Sequence, residues 1–452
     1  MTATPPPFDP IGDVLARIRA ELLDDDRGEV ADYIPQLGEA DPAAFGLALV
    51  GVAGSVYRAG EADVPFTIQS ISKPFAYALA LTDEGSEGVL LRVGVEPSGE
   101  AFNAISLEPG TGRPSNPMIN AGAILTTSLV RGTGPTERFE RIRDLLSRCA
   151  GRDLDVDETV FRSEHDTGDR NRALAYLMRH AGSLEADVEV AVDTYFRQCS
   201  VLVTAVDLAM MAATLANGGV NPRTGEEVLE QSVAEQVLTV MATCGMYDFS
   251  GEWLFRVGLP AKSGVSGGIV AVSPSQFGIG LYSPRLDERG NSVRGVAAST
   301  AISERFSLHV MHQVGRSAPT FERVVPDSGS VVAADGQGTA VAVGEAPKDA
   351  EVAVLAVQGY LEFAAAEQAL LALRSHTDDT EAPEALVIDL DHVTRCHPVA
   401  SALLDAMIDL IGSRGVTVVT VDGRQRRLLT SAAEFTTRAE ALDHCRERSG
   451  GD

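Results

Sequence analysis

The pattern of apolar and polar positions predicts helices interspersed with paired strands up to about residue 310. In some segments apolar residues recur at the spacing of one helix face, and in others they form short runs bounded by glycine, proline and serine. Helices are predicted over 11–23, 72–81 and 201–216, and strands over 45–52, 55–60, 268–272 and 277–282. Helices that alternate with paired strands are typical of an α/β or α+β layer fold.

The pattern changes after residue 312. Between about 313 and 334 the periodicity lapses into glycine, serine, proline and aspartate, which favours a linker. Strands and helices then alternate, which predicts a small α/β domain with a largely parallel sheet. Strands are predicted over 339–343, 351–358, 385–390 and 416–421, and helices over 364–374, 400–413 and 437–445. We therefore predict a first domain over 1–318, a linker over 319–334 and a second domain over 335–452.

The chain has 452 residues, which is too many for one hydrophobic core and enough for two or three domains. Its formal net charge of -27 repels nucleic acid and anionic lipid, so we expect neither as a partner. No apolar stretch reaches membrane-spanning length and no signal peptide is visible, which favours the cytoplasm. The five cysteines are scattered without a C-x-x-C pair, which argues against a disulfide framework and a zinc site. We expect no metal and no other cofactor.

Lysine is rare in this sequence. Of 37 basic residues three are lysines, namely Lys73, Lys262 and Lys348. A lysine retained in a chain that otherwise uses arginine is a candidate for a role that arginine cannot fill, such as losing a proton near neutral pH. Lys348 lies in a polar connector and needs no such explanation, whereas the other two fall in recognisable motifs.

The segment around Lys73 contains the pattern Ser-x-x-Lys. Positions i and i+3 lie on one face of a helix, so the Ser70 hydroxyl and the Lys73 amine can meet. Pro74 favours a first helical turn, where free backbone N–H groups stabilise a forming alkoxide. A serine becomes an effective nucleophile when a neighbouring base removes its proton, and a buried lysine beside a second cation can be that base. Taken alone, the pattern fits a helix cap with a solvated lysine equally well.

Lys262 supplies the second cation. It opens the run Lys262-Ser263-Gly264, which leads into a predicted strand. A Lys-Ser/Thr-Gly triplet on a strand edge accompanies Ser-x-x-Lys in serine acyl-transfer enzymes. Small residues here let a substrate approach backbone N–H groups, which can form an oxyanion hole. The alternative is a glycine-rich turn with an incidental lysine, but two of the three lysines fall in the two matching motifs.

These motifs and the sequence blocks around them resemble the serine-dependent glutaminase family, which shares the serine β-lactamase/penicillin-binding superfold. Further matching blocks are 28–37, 96–99, 102–103, 116–124, 163–164, 168–171, 193–196, 215–219 and 244–251. The resemblance implies a β-lactamase-like domain with an antiparallel sheet and a helical subdomain. It also implies hydrolysis of L-glutamine to L-glutamate and ammonia through a serine acyl-enzyme. We further expect a homo-oligomer, either a dimer or a tetramer.

The resemblance also implies which residues form the site. Ser70 is then the nucleophile and Lys73 its base, with Tyr247 and Lys262 completing the catalytic set. The implied glutamine-binding residues are Tyr33, Ser70, Asn120, Glu164, Asn171, Tyr195, Tyr247 and, through its backbone, Val265. These residue types suit the substrate, because Glu164 can bind the ammonium group and the two asparagines can donate to the carboxylate. Tyr247 can relay a proton to the departing ammonia.

The second domain resembles a STAS domain, a family that includes anti-sigma-factor antagonists and transporter tails. The resemblance rests on segments 358–364 and 387–393. In phosphorylatable members an Asp-Ser pair opens the helix that follows the second of these segments. This chain has Cys396-His397 at that place, and Ser401 lies one turn too late. The resemblance therefore implies docking of a protein partner, oligomerisation or small-ligand sensing rather than a phosphorylation switch.

Two other functions stay open at the level of the sequence. The same Ser-Lys machinery could act on another amide, as in a β-lactamase-like amidohydrolase. Alternatively, the chain could be a signalling scaffold in which the STAS-like domain carries the function and the first domain has decayed. The intact nucleophile, base and pocket residues favour the glutaminase.

Overall fold

The computed structural model describes residues 9–99, 107–312, 320–324, 331–333, 352–361, 363–377 and 383–449. The chain divides into two compact units, Met1–Glu304 with Leu308–Met311 and Arg305–Ser307 with His312–Asp452. The strand predicted over 339–343 and the matching block 102–103 lie outside the described residues.

The described part of the chain up to residue 312 contains both helices and short strands. Its helices are α1 (Pro10–Leu22), α2 (Pro35–Gly38), α3 (Lys73–Leu90), α4 (Asn120–Leu129), α5 (Pro135–Ala150), α6 (Glu158–Asp166), α7 (Asp169–Ala181), α8 (Val188–Cys199), α9 (Ala205–Ala216), α10 (Gln231–Cys244), α11 (Ser250–Arg256) and α12 (Val293–Phe306). Its strands are β1 (Glu29–Val30), β2 (Gly46–Gly51), β3 (Val56–Gly60), β4 (Phe66–Thr67), β5 (Leu202–Val203), β6 (Ala261–Ser263), β7 (Gly268–Ser273), β8 (Phe277–Tyr282) and β9 (Arg285–Leu286). Two 3-10 helices, Gln69–Ser72 and Tyr247–Phe249, complete the set.

A five-stranded antiparallel sheet is the centre of the first unit. Its strand order is β3-β2-β8-β7-β6, so the predicted hairpin and the predicted strand pair of the third quarter of the chain are confirmed as neighbours in one sheet. Every residue of β2, β7 and β8 is buried, as expected for apolar runs that are covered on both faces. Mixed helices and antiparallel strands are therefore the architecture of this unit.

Helix α9 lies directly against the sheet because β8 carries glycine where the two backbones meet. A Cβ at Gly278 would lie 2.2 Å from the carbonyl oxygen of Ala209, and one at Gly280 would lie 2.0 Å from that of Ala205. The helix contributes small side chains to the same contact, so helix and strand approach more closely than larger residues allow. This contact fixes one face of the sheet.

A second layer of helices packs beside the sheet. Helices α4, α7 and α8 share one hydrophobic cluster, which includes Ile124, Met178 and Phe196. The 3-10 helix Gln69–Ser72 contacts β6, β7 and α8, and it therefore lies between the sheet and this helical layer.

In the first unit, two helix boundaries differ from the prediction by four residues or more. Helix α9 begins at Ala205 rather than at 201, because Leu202–Val203 pairs with Phe66–Thr67 as a strand and Thr204 then forms a capping box with Asp207. The helix predicted over 72–81 continues to Leu90. Gly85 adopts a φ of 74° inside it, so the glycine kinks the helix instead of ending it.

The second unit contains a six-stranded sheet with three helices. Its strands are β10 (Thr320–Val324), β11 (Val331–Ala333), β12 (Val352–Leu361), β13 (Ala385–Cys396), β14 (Thr417–Val421) and β15 (Ala433–Phe435), and its helices are α13 (Phe363–Thr377), α14 (Pro398–Ser413) and α15 (Arg438–Ser449). The strand order is β11-β10-β12-β13-β14-β15. Strands β12 to β15 pair in parallel, which confirms the predicted strand–helix alternation, and Ala441 and Cys445 of α15 pack on their valines.

Strands β10 and β11 lie within 319–334, where the sequence analysis predicts a linker. Both belong to the six-stranded sheet, and β10 pairs antiparallel with β12 from Thr320↔Ala356 to Val324↔Val352. The prediction missed them because both strands are short and lie among glycine, serine and proline residues.

Candidate active site

Ser70 lies on a tight turn that leads directly into α3. It belongs to the 3-10 helix Gln69–Ser72, and Lys73 is the first residue of α3, with Pro74 next to it. The Lys73 backbone N–H donates to the carbonyl of Ser70, so the serine and the lysine are one short turn apart. The structure thus places the Ser-x-x-Lys pair at a helix N-terminus, as the position of Pro74 predicts.

The Lys73 side chain is completely buried. Its Nζ donates to the carbonyl of Met118 at 3.0 Å and to Oδ1 of Asn120 at 2.8 Å. Burial lowers the pKa of Lys73 to about 7, because the charged amine has lost its water. A neutral amine has two N–H bonds and one lone pair. The two acceptors take the N–H bonds, which leaves the lone pair to receive a proton.

Lys262 is also completely buried, on the edge strand β6. Its Nζ donates to the carbonyl of Ser263 at 2.7 Å and lies 3.8 Å from the centre of the Tyr247 ring. Nζ of Lys73 lies 5.8 Å from the same ring centre, so the two amines converge on one aromatic side chain. Burial, and then the charge of Lys73, lower the pKa of Lys262 well below its usual value. For Lys73 the main cause is burial rather than the neighbouring lysine that the sequence analysis expected.

Tyr247 connects the two lysines to the nucleophile. Its hydroxyl lies 3.5 Å from the carbonyl of Ser263 and interacts with the Ser70 side chain. Burial raises its pKa, so the phenol keeps its proton at neutral pH. Tyr247 has a φ of 58°, a backbone conformation that residues with a side chain rarely adopt and that is often found at functional sites.

A buried carboxylate, Glu164, lies at the other side of the nucleophile. The Tyr33 hydroxyl donates to its Oε1 at 2.6 Å, and Nε2 of Gln69 donates to the same oxygen at 3.2 Å. Burial raises the pKa of Glu164, and these two hydrogen bonds partly offset the effect. Both donors bind one oxygen of the carboxylate, so the other oxygen, Oε2, can accept from a substrate cation.

Two asparagines and a tyrosine form the third part of the site. Asn120, the first residue of α4, accepts from Lys73 through Oδ1, and the Tyr195 hydroxyl lies 3.4 Å from the same atom. Its Nδ2 donates to Oδ1 of Asn171 on α7 at 3.0 Å. The Asn120 amide is thus oriented by its neighbours. Asn171 accepts from Asn120 through Oδ1, and its Nδ2 group is a further hydrogen-bond donor in this part of the site.

Most of these groups line one cavity of about 440 Å³, whereas Lys73, Lys262 and Tyr247 lie outside its lining. It is lined by Tyr33, Gln69, Ser70, Asn120, Glu164, Thr167, Gly168, Arg170, Asn171, Tyr195, Cys199 and Val265. All the predicted binding residues except Tyr247 are in this lining, and Tyr247 contacts it through Ser70. A cavity of this size suits a small ligand that is held by a few polar groups.

Several residues of the lining were not predicted from the sequence. Gln69 directly precedes the nucleophile, and Cys199 lies one helical turn after Tyr195 on the same face of α8. Helical spacing could have found Cys199, whereas the contact of Gln69 with Glu164 joins residues 95 positions apart and has no local signal.

In the described part of the chain, no three His, Cys, Asp or Glu side chains are grouped so that they could hold a metal ion. None of the helices in this part of the chain is both long enough and apolar enough to cross a membrane.

Comparison with known proteins decides the family. The family model Glutaminase matches residues 28–311, a segment that contains the whole cavity lining. The chain belongs to the glutaminase family. This confirms the family resemblance of the first domain.

Individual glutaminases match much of the chain. Glutaminase of Corynebacterium efficiens is 43% identical over 415 residues, which are 91% of this chain and 92% of that protein. Glutaminase 1 of Bradyrhizobium diazoefficiens is 45% identical over 394 residues, 87% of this chain, and the match spans 63% of that longer protein. A crystal structure of Mglu in its glutamate form is 39% identical with a TM-score of 0.66, covering 93% of this chain and 99% of that one.

Proposed function

We propose that this glutaminase hydrolyses L-glutamine to L-glutamate and ammonia through an ester on Ser70. The observation that carries the proposal is the convergence of the buried Lys73 and Lys262 amines on Tyr247, which itself interacts with Ser70 at the cavity. This arrangement supplies a nucleophile, a base and a proton donor within one buried site.

Glutamine is a small zwitterion, and the cavity has groups for each of its ends. The ammonium group is assigned to Oε2 of Glu164, since Tyr33 and Gln69 hold the other oxygen. The carboxylate is assigned to the amide N–H donors of Asn120 and Asn171, which add no net charge to the site. The side-chain amide then reaches Ser70.

In the acylation step, Oγ of Ser70 attacks the amide carbon while its proton passes to the neutral Lys73 amine. The backbone N–H groups of Ser70 and Val265 are assigned to the oxyanion. Tyr247 donates a proton to the departing nitrogen as the carbon–nitrogen bond breaks, and it regains a proton from the lysine pair. Ammonia leaves and a γ-glutamyl ester remains.

In the second step, water attacks the ester carbon and gives a proton to Lys73. The Ser70 oxygen leaves with a proton, and L-glutamate is released. The sum of the two steps is glutamine plus water giving glutamate plus ammonia. No step needs a metal or an organic cofactor.

The direct test is Ser70→Ala. We expect this variant to bind glutamine, measured by calorimetry, with nearly unchanged affinity, and to release no ammonia. Ser128→Ala is the matched control, because the Ser128 hydroxyl donates within its own helix, to the carbonyl of Leu125. Normal ammonia release by the Ser70 variant would refute the mechanism.

Assays of the unchanged protein with glutamine, asparagine and a chromogenic β-lactam test the substrate. A faster reaction with asparagine or the β-lactam would show that glutamine is not the preferred substrate.

A β-lactamase-like fold for the first domain is part of the same proposal. Its support is an antiparallel sheet whose edge strand β6 carries Lys262, next to a helix that opens with the Ser-x-x-Lys pair. We retain cytoplasmic location and a homo-oligomer, a dimer or a tetramer, as further expectations of this proposal.

For the second domain we propose a STAS-like module over 335–452, whose sheet is extended by β10 and β11 from the segment 319–334. Its support is the parallel run of β12 to β15, with α13 between β12 and β13 and α14 between β13 and β14. Ser401, on α14, donates its hydroxyl to the carbonyl of Leu428 and is not the residue that opens the helix. We therefore propose docking of a protein partner or small-ligand sensing rather than phosphorylation.

A further inference from the structure

The backbone immediately before the nucleophile is strained. Gln69 has a φ of 49°, in the left-handed region that residues with a side chain avoid. Such a conformation persists only when surrounding contacts hold it. The contacts of Gln69 therefore bear on where the Ser70 hydroxyl points.

A chain of buried hydrogen bonds reaches this turn from two helices. The Ser72 hydroxyl donates to the carbonyl oxygen of Gln69 at 2.7 Å. Nε2 of Gln198 on α8 donates to the Ser72 oxygen at 3.2 Å, and Oε1 of Gln198 accepts from the Thr127 hydroxyl of α4 at 2.9 Å. Ser72, Gln198 and Thr127 are each fully buried, so water cannot replace a missing partner.

The direction of each bond in this chain is determined by the chemistry of its members. A backbone carbonyl only accepts, so the single Ser72 proton is committed to Gln69 and the Ser72 oxygen must accept. Gln198 is the member with both a donor and an acceptor end, and it uses both. The Cys199 thiol also contacts Ser72, but a thiol is a weak hydrogen-bonding group.

This chain of hydrogen bonds joins three segments that each carry a residue of the site. Gln198 is three residues after Tyr195 on α8, Thr127 is on the helix that begins with Asn120, and Ser72 is two residues after Ser70. Gln198 itself is not in the lining of the cavity. Its influence on the reaction has to pass through the turn.

We propose that Gln198 is a positioning residue that holds the strained turn at Gln69, through Ser72, and thereby orients the Ser70 hydroxyl for attack. The inference rests on the proposed role of Ser70 as nucleophile.

The test is Gln198→Met, which keeps the approximate volume of the side chain and removes both hydrogen-bonding ends. We expect kcat for glutamine to fall between about 10-fold and 100-fold, the size of effect that small misplacements of a reacting group produce. KM should stay within about threefold of the unchanged protein, because Tyr33 still holds Glu164 and Gln198 does not touch the substrate.

The pH dependence separates misplacement of the serine from damage to the base. Lys73 donates its hydrogen bonds to Met118 and Asn120, and neither residue belongs to the chain of hydrogen bonds that contains Gln198. The ionisation seen in the pH profile of kcat/KM should therefore stay in place in Gln198→Met. A shift of that ionisation together with the loss of rate would show a general disturbance and would overturn the inference.

Neighbouring threonines on α4 provide a matched pair of variants. Thr127 and Thr126 are both fully buried, but the Thr126 hydroxyl donates to the carbonyl of Ala123 in its own helix. Thr127→Val should lower kcat in the same direction as Gln198→Met, and Thr126→Val should leave it within about twofold. Equal losses in the two valine variants would contradict a specific chain. If Gln198→Met fails to fold, this pair decides the question.

Ser72→Ala provides a further test. Because Ser72 and Gln198 belong to one chain of hydrogen bonds, the double variant Ser72→Ala/Gln198→Met should lose little more kcat than Ser72→Ala alone. Multiplied losses, or full activity in a folded Gln198→Met, would refute the inference. If Ser70→Ala were instead active, the proposed function would fail before this question arises, so the two failures are distinguishable.

Discussion

Lys73 and Lys262 illustrate how burial changes the chemistry of a residue. Two of the three lysines of the chain are completely buried, and the pKa of each is lowered mainly because the charged form has lost its water. Arginine at either position would keep its charge under the same conditions. In the proposed mechanism, lysine is therefore retained at the two places where an amine has to be able to lose a proton.

The pKa of Lys73 predicts how activity depends on pH. If Lys73 is the base, as proposed, it acts in its neutral form, and because its pKa is lowered to about 7, kcat/KM should rise as the pH increases through about 7 and then level off. Lys73→Arg should lose this limb and about 100-fold to 10,000-fold of kcat, since charge survives and basicity does not. Ammonia release measured across the pH range checks both statements. Lys348→Arg is the control, and a Lys73→Arg variant with an unchanged profile would exclude Lys73 as the base.

At the scale of the elements, glycine decides how closely helix and sheet pack. A Cβ on Gly280 of β8 would meet backbone atoms of α9, the carbonyl of Ala205 at 2.0 Å and the N of Ala209 at 2.6 Å, and neither can move aside as a side chain would. Gly280→Ala should therefore destabilise the protein by about 1–3 kcal/mol or more. The measurement is the thermal unfolding midpoint by circular dichroism.

Gly251→Ala is the control for this prediction. Gly251 lies near the start of α11, and an added Cβ would meet nothing within 4 Å. The unfolding midpoint of this variant should equal or slightly exceed that of the unchanged protein. Equal midpoints for the Gly280 and Gly251 variants would show that α9 can move away from the sheet.

Local patterns predicted which elements exist better than where they begin and end. The hairpin of β2 and β3 and the pair β7 and β8 follow from apolar runs separated by turns, and both are present. The start of α9 depends on Leu202–Val203 pairing with a segment more than a hundred residues earlier, which no local pattern contains. Pairing with a later segment also marks strand β10, whose partner β12 lies further along the chain, and β11 in turn pairs with β10.

The residues of the site likewise divide into those that the sequence indicated and those that it could not indicate. Motifs and family resemblance named ten residues, and the structure brings them to one cavity and the ring of Tyr247 behind it. They could not indicate Gln198, whose bond to Ser72 joins residues 126 positions apart. Contacts of this kind depend on how the helices pack, and the roles of the individual residues await the variants described above.

At the scale of the whole molecule, every predicted site residue lies between Tyr33 and Val265, and the family match ends at residue 311. A shortened protein, 1–318, should therefore keep ammonia release, with kcat/KM within about fivefold of the full chain. Circular dichroism is the control for folding. A folded but inactive 1–318 protein would show that the second unit is needed for catalysis.

The edge strand β6 has a consequence for how the gene for this protein can vary. Side chains alternate between the two faces of a strand, and Lys262 faces Tyr247 because it is opposite Val270 in the pairing of β6 with β7. A deletion or insertion of one residue in the turn 264–267 would slip that pairing by one place and turn the amine to the opposite side of the sheet. The position of the Lys262 amine therefore constrains the length of this turn as much as it constrains the residues of the turn.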